Sequence, residues 1–537
     1  MRARSVAAAA ASVALLTVAA RIAGFGRLFA FSQTVGDTCL GTAYQTANQV
    51  PNVLFEVVAG GALAGVLVPL LATRLSSADP AERAAASRTA SAALTWSVLA
   101  LVVVAALTAL LARPVMRLLL SGEATADCGP QLLTTGTLML WAFLPQVPLY
   151  AVAVVLAGAL QAQQRFTAPA AAPLVSSLVV GASYLLVGAL APAAVVRGGL
   201  EDVPDRAVAV LAGGTTLGVV VLALTHAPAL RSAVRWRPTW RPAPGDGARL
   251  RSLALSGLAV LLAQQVVTVA VTLASNDGAA GAVNRWSYAW AMFLLPYAVL
   301  AVPVATAVFP RLARAADGPR EEFARLLAPS VRTVLLVSSL GAAVLVAVAV
   351  PVAVVFVTSR VGSGRTGDLA LALVVFAPGL LGHGLVALLT RALYSLGAGR
   401  PAATGTVAGW ALVLLGVVVL PLLLPGDRVV SALAAAHTAG LSLAGLLLLR
   451  AVHRQAGPAA LAGLARVAVA AVLAAAAGGA AGGLLGLRWR PDGVLAEVAV
   501  GVVVALIAGA VWWGVARLAA PAELRGLAVR ARRAVER

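Results

Sequence analysis

The chain has little charge and no lysine. Only 11% of its 537 residues are charged, and all 40 basic residues are arginine. A typical soluble domain is about a quarter charged, so a water-soluble globular fold is excluded. Disordered chains combine low hydrophobicity with high charge density, whereas 61% of these residues are hydrophobic. The composition predicts an integral membrane protein, and the missing lysine is most simply a GC-rich coding bias.

Motifs for catalysis and metal binding are also missing. The sequence has no P-loop, no Gly-x-Ser-x-Gly and no His-Glu-x-x-His, so neither nucleotide hydrolysis nor a familiar hydrolase is indicated. Its four histidines lack the paired spacing of metal ligands, and we expect neither a metal nor a cofactor. The net charge of +20 does not indicate nucleic-acid binding, because the arginines lie between apolar runs. They indicate contact with an anionic membrane leaflet.

Charge-poor hydrophobic runs recur along the whole chain. Spanning a bilayer takes about 20 apolar residues per helix, and we therefore predict an all-α polytopic membrane protein with about 14 transmembrane helices. The predicted spans are residues 8–35, 42–73, 89–112, 132–158, 168–191, 207–228, 252–274, 286–310, 331–356, 369–390, 401–424, 429–449, 467–487 and 494–516.

The distribution of arginine predicts the orientation of these spans. With the amino terminus inside, the internal segments hold 28 arginines and 8 acidic residues, whereas the external segments hold 10 and 11. Cytoplasmic loops carry the excess of positive charge. We therefore expect both termini in the cytoplasm of a plasma-membrane protein.

The spans favour two six-helix lobes followed by a carboxyl-terminal helix pair. Short segments around Pro69 and Pro169 recur in similar form around Pro310 and Pro401, which indicates a unit used twice in parallel orientation. We expect an amino-terminal lobe at 1–228, a carboxyl-terminal lobe at 229–449, and the helix pair with a basic tail at 450–537. Transporters of this design bind substrate between their halves.

Charged residues inside predicted spans are the first functional candidates, because an arginine or acid at mid-bilayer costs about 2.5–3.5 kcal/mol. Arg21 and Arg27 lie in the first span and Glu56 in the second. Arg21 and Glu56 lie equally far from the external turn, so they form either a structural ion pair or part of a substrate site. Arg27 has no acid at its depth, and guanidinium engages phosphate oxygens in bidentate geometry. We predict that Arg27 binds an anion.

A polar stripe runs along the second span. Its members follow the i, i+3, i+7, i+11 spacing of one helix face and are Gln45, Asn48, Asn52 and Glu56. Such a stripe is unfavourable against lipid, so we expect it to face protein or water. Asn48 and Asn52 lie at the level of Arg27.

The second half of the chain has a comparable polar pattern. Gln264, Thr268 and Thr272 recur every four residues on the seventh span, and Asn284 and Arg285 lie at the external end of the eighth. The threonines either line a hydrated cavity or form hydrogen bonds between helices. Arg285 either binds substrate or snorkels to the membrane interface.

The two cysteines, Cys39 and Cys128, both fall on the predicted external side. A disulfide between them is chemically allowed in that oxidising compartment. The alternative is that Cys39 is buried as a small hydrophobic residue.

Short motifs spread over the chain point to one known family. They are Arg21-Ile-Ala-Gly-Phe-Gly-Arg27, Thr46-Ala-Asn-Gln-Val-Pro51-Asn52, Gly60-Gly-Ala-Leu with Val68-Pro69, Arg165-Phe-Thr-Ala-Pro169, Phe309-Pro310-Arg311-Leu312 and Arg391-Ala-Leu-Tyr394 with Arg400-Pro401. Across essentially the whole chain they strongly resemble the MviN/MurJ family, the lipid II flippases of bacterial peptidoglycan synthesis, in its actinobacterial form.

The resemblance implies the fold of the multidrug/oligosaccharidyl-lipid/polysaccharide (MOP) exporters, which includes the MATE transporters, and alternating access. It implies that an undecaprenyl-pyrophosphate disaccharide-pentapeptide enters a central cavity, with its lipid tail in a groove beside the last two helices. Arg21 and Arg27 match the first-helix arginines of the family, and Asn52 matches the asparagine of its Pro-Asn motif.

The chain departs from the family at several charged positions. Phe55 and Glu56 stand where the family has basic residues on the second helix. Ala291 replaces an arginine of the eighth helix, and Thr42 replaces an acid of the second. Arg27, helped by Arg285, is left to bind a pyrophosphate.

We therefore predict a lipid II flippase rather than an enzyme, without a cofactor and coupled to an ion gradient or the membrane potential. Its expected partners are the lipid-linked glycan, the membrane and cell-wall synthesis proteins, and not nucleic acid. The alternatives are a flippase for another polyprenyl-linked glycan and a non-transporting member that organises cell-wall synthesis. A membrane glycosyltransferase ranks last, because the external acidic cluster of Glu201, Asp202 and Asp205 lies in a short segment.

Overall fold

A computed structural model describes residues 3–58, 68, 71–75, 77–231 and 234–525. Gly60, Pro69 and the basic tail beyond Arg525, all used in the sequence analysis, lie outside these residues. Every regular element in the described ranges is helical, as the composition predicts.

The first half of the chain is a series of helices joined mostly by short turns. Their bounds are α1 (Ala3–Thr34), α2 (Cys39–Val58), α3 (Pro80–Leu110), α4 (Ala112–Leu119), α5 (Glu123–Ala126), α6 (Gln131–Phe143), α7 (Gln146–Ala162), α8 (Thr167–Leu190), α9 (Ala193–Gly198) and α10 (Asp205–Leu224). A short 3-10 helix, Ala227–Arg231, follows α10.

The second half continues the series. Its helices are α11 (Asp246–Gly278), α12 (Ala282–Pro296), α13 (Val302–Ala315), α14 (Arg320–Ala347), α15 (Ala349–Val357), α16 (Thr366–Phe376), α17 (Gly379–Ser395), α18 (Gly399–Leu423), α19 (Val429–Ala456), α20 (Leu464–Arg488) and α21 (Val494–Ala519). One π-helical turn, Tyr297–Ala301, joins α12 to α13. It lies just before Pro303, whose missing N–H and ring disturb the helical hydrogen bond to the residue four positions earlier.

The described helices confirm a polytopic membrane protein. Twelve are long and apolar enough to cross a bilayer, and the number is 13 when α16 and α17 count as one span bent by 45°. Pro378 lies at that bend, which accounts for the break. The remaining predicted span, 42–73, begins as α2, where polar side chains interrupt the hydrophobic run; part of its second half lies outside the described residues.

The chain divides into two compact units. The first comprises residues 1–268 and 360–362, and the second comprises 269–359 and 363–537. The boundary between the units falls within α11, one continuous helix that belongs to both. The last two helices belong to the second unit, since both α20 and α21 pack against α14.

A glycine allows the close approach of these last helices. A Cβ atom at Gly482 on α20 would lie 2.5 Å from the Cβ of Ala347 and 2.7 Å from the carbonyl oxygen of Val504. Any larger residue would push α20 away from both α14 and α21. The same helices bury Trp512, whose indole Nε1 donates a hydrogen bond to Ser339 Oγ at 2.9 Å.

In the first unit, α1 packs along α8, and α8 in turn packs on α10. Separately, α2 packs on α6, and α3 packs on α7. This arrangement places side chains of α2, α7, α8 and α10 in one buried polar region beside α1, from which the candidate site is built.

Candidate functional site

Arg27 lies on the exposed side of α1, close to tyrosine side chains from three other helices. A Cβ atom at Gly181 on α8 would lie only 3.7 Å from the Cα of Arg27, so the two helices are in close contact. Among the described residues its guanidinium forms no ion pair with a carboxylate. The guanidinium lies within electrostatic range of the Tyr44, Tyr150 and Tyr184 side chains.

Two of these tyrosines form a buried hydroxyl cluster with a threonine. The Tyr44 hydroxyl lies 2.6 Å from the Tyr184 hydroxyl and 3.0 Å from Thr215 Oγ1. The hydroxyl of Thr215 donates to the Leu211 carbonyl at 2.8 Å. Because a hydroxyl both donates and accepts, the cluster of Tyr44, Tyr184 and Thr215 satisfies its own buried groups. It joins α2, α8 and α10.

A second polar pair lies beside this cluster. Gln146 at the start of α7 is fully buried and donates from Nε2 to Thr216 Oγ1 at 2.9 Å. Thr216 donates onward to the Ala142 carbonyl at 2.7 Å. The Tyr150 hydroxyl lies 3.5 Å from Gln146 Oε1, at the outer limit of a hydrogen bond. The Tyr150 hydroxyl is therefore the group beside Arg27 that is held least firmly.

This arrangement can bind an anion. An exposed guanidinium offers up to five N–H donors in a fixed fork, a geometry that suits phosphate oxygens. The Tyr150 hydroxyl, which makes only one long contact, can supply a further donor. Aromatic walls surround them: the ring of Phe31 lies 5.3 Å from that of Tyr44, and the ring of Phe55 lies 4.7 Å from that of Tyr150.

The polar stripe of α2 lies on the accessible side of that helix. Gln45, Asn48, Asn52 and Glu56 are all half-buried, whereas Tyr44, Ala47 and Pro51 on the neighbouring face are buried. The side-chain amides of Asn48 and Asn52 make no hydrogen bond to other described residues, so they are open to a ligand or water. Gln45 makes an interaction within the unit.

The structure does not bring Arg21 and Glu56 together as an ion pair. Arg21 is exposed, Glu56 is half-buried, and within the described residues neither takes part in a salt bridge. Equal depth along two helices gives equal height but not a shared face. The main packing partner of α1 is α8, and the two side chains do not meet.

Arg285 is fully buried in the second unit and does not snorkel. Its Nη1 donates to the carbonyl of Ala280 at 2.9 Å, and its charge interacts with Asp368. The carboxylate of Asp368 accepts hydrogen bonds from the main-chain N–H groups of Val430 at 3.1 Å and Ser431 at 2.9 Å. Arg285 is thus part of the internal support of α19. Its predicted contact with substrate stays a prediction.

The other candidates of the second half are also largely internal. Asn284 lies beside Arg285 in the first turn of α12 and is fully buried. Thr272 is buried, and Thr268 donates to the carbonyl of Gln264 at 3.0 Å, within the same helix. Only Gln264 and Thr268 are partly accessible.

Cys39 and Cys128 are joined by a disulfide, with their Cα atoms 5.5 Å apart. The bond links the first residue of α2 to the turn before α6. It fixes the α2 end from which the polar stripe begins.

Sequence reasoning missed the tyrosines and Gln146, although each is a polar group within a predicted span. The signal in the sequence for these residues is an isolated polar side chain within an otherwise apolar helix.

The histidines are considered in the sequence only as metal ligands, and no group of three or more metal-ligating side chains exists among the described residues. His437 instead packs 4.8 Å from the ring of Trp286 and approaches the Leu433 carbonyl at 2.8 Å.

The hydroxyl cluster leads to a first prediction. Tyr44→Phe removes the group that joins Tyr184 and Thr215, and we expect the free energy of unfolding to fall by about 1–2 kcal/mol. Tyr150→Phe is the matched control, because its hydroxyl makes only one long contact, and we expect little change. Thermal unfolding of the purified protein in detergent measures both. Equal losses in the two variants would contradict the cluster's structural role.

Comparison with solved structures defines the class of protein. An inward-closed lipid II flippase MurJ matches with a TM-score of 0.69 and 16% identity, over 93% of this chain and 98% of that one. An inward-facing MATE-family multidrug resistance transporter of the MOP superfamily matches with a TM-score of 0.64 and 14% identity, over 82% and 95%. The fold is that of the MOP-superfamily membrane transporters.

Sequence comparison narrows the class to a family. The family model described as lipid II flippase MurJ matches residues 31–508, so this chain belongs to the MurJ lipid II flippase family. The lipid II flippase MurJ of Burkholderia cenocepacia is 26% identical over 395 residues, which is 72% of each chain. The probable lipid II flippase MurJ of Rhizobium meliloti is 27% identical over 350 residues, 64% of this chain and 61% of that one. The family is one of transporters, not enzymes.

Proposed function

We propose that this chain translocates lipid II across the plasma membrane by alternating access, with Arg27 as the group that binds the pyrophosphate. The observation that carries this proposal is the exposed guanidinium beside three tyrosine hydroxyls on a chain of the MurJ family. A pyrophosphate carries more than one negative charge, and bidentate hydrogen bonds to charged oxygens are among the strongest in proteins.

Because the chain departs from the family pattern, the binding of the pyrophosphate rests on one side chain, that of Arg27. Phe55 stands where the family has an arginine, and its ring packs 4.7 Å from Tyr150, so this wall is aromatic. Arg285 is buried beside Asp368. Asn48 and Asn52, whose amides are accessible, supply neutral hydrogen bonds to the sugar or phosphate groups of the substrate.

The proposal also covers the orientation of the chain in the membrane and the energy source for transport. The excess of arginine in alternate loops supports cytoplasmic amino and carboxyl termini. We assign the driving force to an ion gradient or the membrane potential. A net translocation of charged pyrophosphate across the bilayer is sensitive to that potential, since each elementary charge contributes about 2.3 kcal/mol per 100 mV.

Complementation tests the proposal directly. The lipid II flippase of a tractable bacterium is depleted, this chain is expressed, and both growth and the external accessibility of lipid II are followed. We expect growth and accessibility to be restored together. If the protein is present in the membrane and neither returns, lipid II is not its substrate. Growth that returns without accessible lipid II would favour a role in organising cell-wall synthesis.

A further inference from the structure

A segment between α10 and α11 is held in register along the start of α3. The main-chain N–H groups of Arg235 and Arg237 donate to the hydroxyls of Ser87 and Ser91, each at 3.1 Å. Four helical residues rise about 6 Å, and two residues of extended chain advance about 6.6 Å. The two repeats match, so each alternate N–H of the segment meets the next turn of the helix.

Trp236 anchors the segment between these two contacts. Its indole Nε1 donates to the carbonyl of Ala229 at 2.9 Å, and its ring packs against the buried cluster that includes Leu156 and Leu160. Successive side chains of an extended chain point to opposite sides. With Trp236 directed into the protein, its two arginine neighbours are directed outward, and both are exposed.

These arginines help to line a cavity of about 810 Å³. Two further arginines, Arg83 and Arg88 from the first turns of α3, complete a set of four around it. Arg83 donates from Nη2 to the carbonyl of Ala78 at 3.3 Å. None of the four forms a salt bridge within the described part of the chain, so four positive charges face one space.

The nearby carboxylates are occupied elsewhere and do not line the cavity. Glu82 lies 3.3 Å from Arg74 Nε, and both oxygens of Asp246 accept hydrogen bonds from the same arginine. Asp79 accepts from the main-chain N–H of Ala81 at 2.8 Å, as the cap of α3. The cavity is therefore strongly positive and has polar hydroxyl groups at its base.

We propose that this cavity binds a phosphate-bearing anion, either a soluble phosphate compound or the headgroup of an anionic phospholipid. Holding four guanidinium groups together is unfavourable unless an anion offsets their repulsion. Their fork geometry matches phosphate oxygens, and the hydrogen-bonded backbone fixes two of them before binding. The site involves neither Arg27 nor the hydroxyl cluster, so it stands whether or not lipid II is the transported substrate.

The test compares two variants with equal loss of charge. Arg235→Gln with Arg237→Gln removes two cavity charges but keeps the backbone contacts to Ser87 and Ser91. Arg231→Gln with Arg241→Gln is the matched control, since both side chains are exposed and flank the segment without lining the cavity. Thermal unfolding confirms that both variants are folded.

Two probes distinguish the sources of phosphate. Inorganic pyrophosphate is titrated against the full chain in phosphatidylcholine nanodiscs at about 0.15 M salt, where exposed charges are screened. Arg27→Ala is present in every chain of this titration, so that binding at Arg27 does not contribute. In parallel, retention of phosphatidylglycerol is measured by native mass spectrometry. We expect the cavity variant to lose about 100-fold in affinity for at least one probe, and the control variant to change only slightly. Arg88→Gln, on α3, should show a smaller loss of the same kind.

Every outcome decides the question. If the cavity variant loses pyrophosphate binding and the control variant does not, the site binds a soluble phosphate compound. If the cavity variant instead loses only phosphatidylglycerol, the site binds a lipid headgroup. Equal losses in the cavity and control variants would show general surface charge and overturn the site. Unchanged binding in the cavity variant, or no binding of either probe by the original chain, would overturn it as well.

Discussion

We expect Arg27→Ala to abolish transport while the protein remains at its normal abundance in the membrane. The side chain is exposed and has no carboxylate partner among the described residues, so its removal leaves no buried charge behind. Two charge-assisted hydrogen bonds to a phosphate are worth about 3 kcal/mol or more, which corresponds to a loss of at least about 100-fold. External accessibility of lipid II in the complementation strain measures the effect, with immunoblotting of membranes for abundance.

Two further variants separate geometry from charge. Arg27→Lys keeps the positive charge but not the planar fork, and we expect partial activity. Arg21→Ala removes an exposed arginine of the same helix that has no part in the hydroxyl cluster, and we expect a smaller loss. Full activity of Arg27→Ala at normal abundance would remove Arg27 from the mechanism.

We expect Asp368→Ala to lower the stability of the second unit more than the substitution of any exposed residue does. The change leaves two N–H groups in the first turn of α19 without their acceptor and removes the negative charge that interacts with buried Arg285. Leaving a buried donor without its acceptor costs about 1–3 kcal/mol for each group. The apparent Tm in detergent should fall by roughly 5–15 °C.

The chain supplies a matched control for this prediction. Asp427→Ala removes an exposed carboxylate just before the same helix, and we expect almost no change in Tm. Asp368→Asn keeps one oxygen acceptor but loses the charge, so it should lie between the two. A Tm of Asp368→Ala equal to that of Asp427→Ala would mean that the buried carboxylate does not support α19.

The architecture could be predicted because membrane spans leave a strong local signal. Hydropathy located every long helix that the structure describes, and residues 31–508 match the family named from short motifs. The compact units of the structure share one helix, α11. Nothing in local hydropathy marks where packing changes within a continuous helix.

For the site, the sequence could predict only which residues share one face of the same helix. Periodicity placed the stripe of α2 on one face, and that face is accessible. It could not supply lateral neighbours, so Arg21 and Glu56 were assigned to each other although α1 packs along α8. The hydroxyl cluster joins Tyr44, Tyr184 and Thr215 from three helices that are distant in sequence, and only the tertiary fold brings them together.

The disulfide and the hydrogen bonds that hold α2 restrict how this helix can move. The disulfide of Cys39 and Cys128 joins its first turn to the chain before α6, and the hydroxyl of Tyr44 bonds it to α8 and α10. Sliding or rotating α2 alone would break several bonds at once, and densely packed elements do not deform continuously. These four helices must therefore move as one rigid body, which carries the accessible asparagines Asn48 and Asn52 with it. Hinges for the transport cycle have to be sought outside this block.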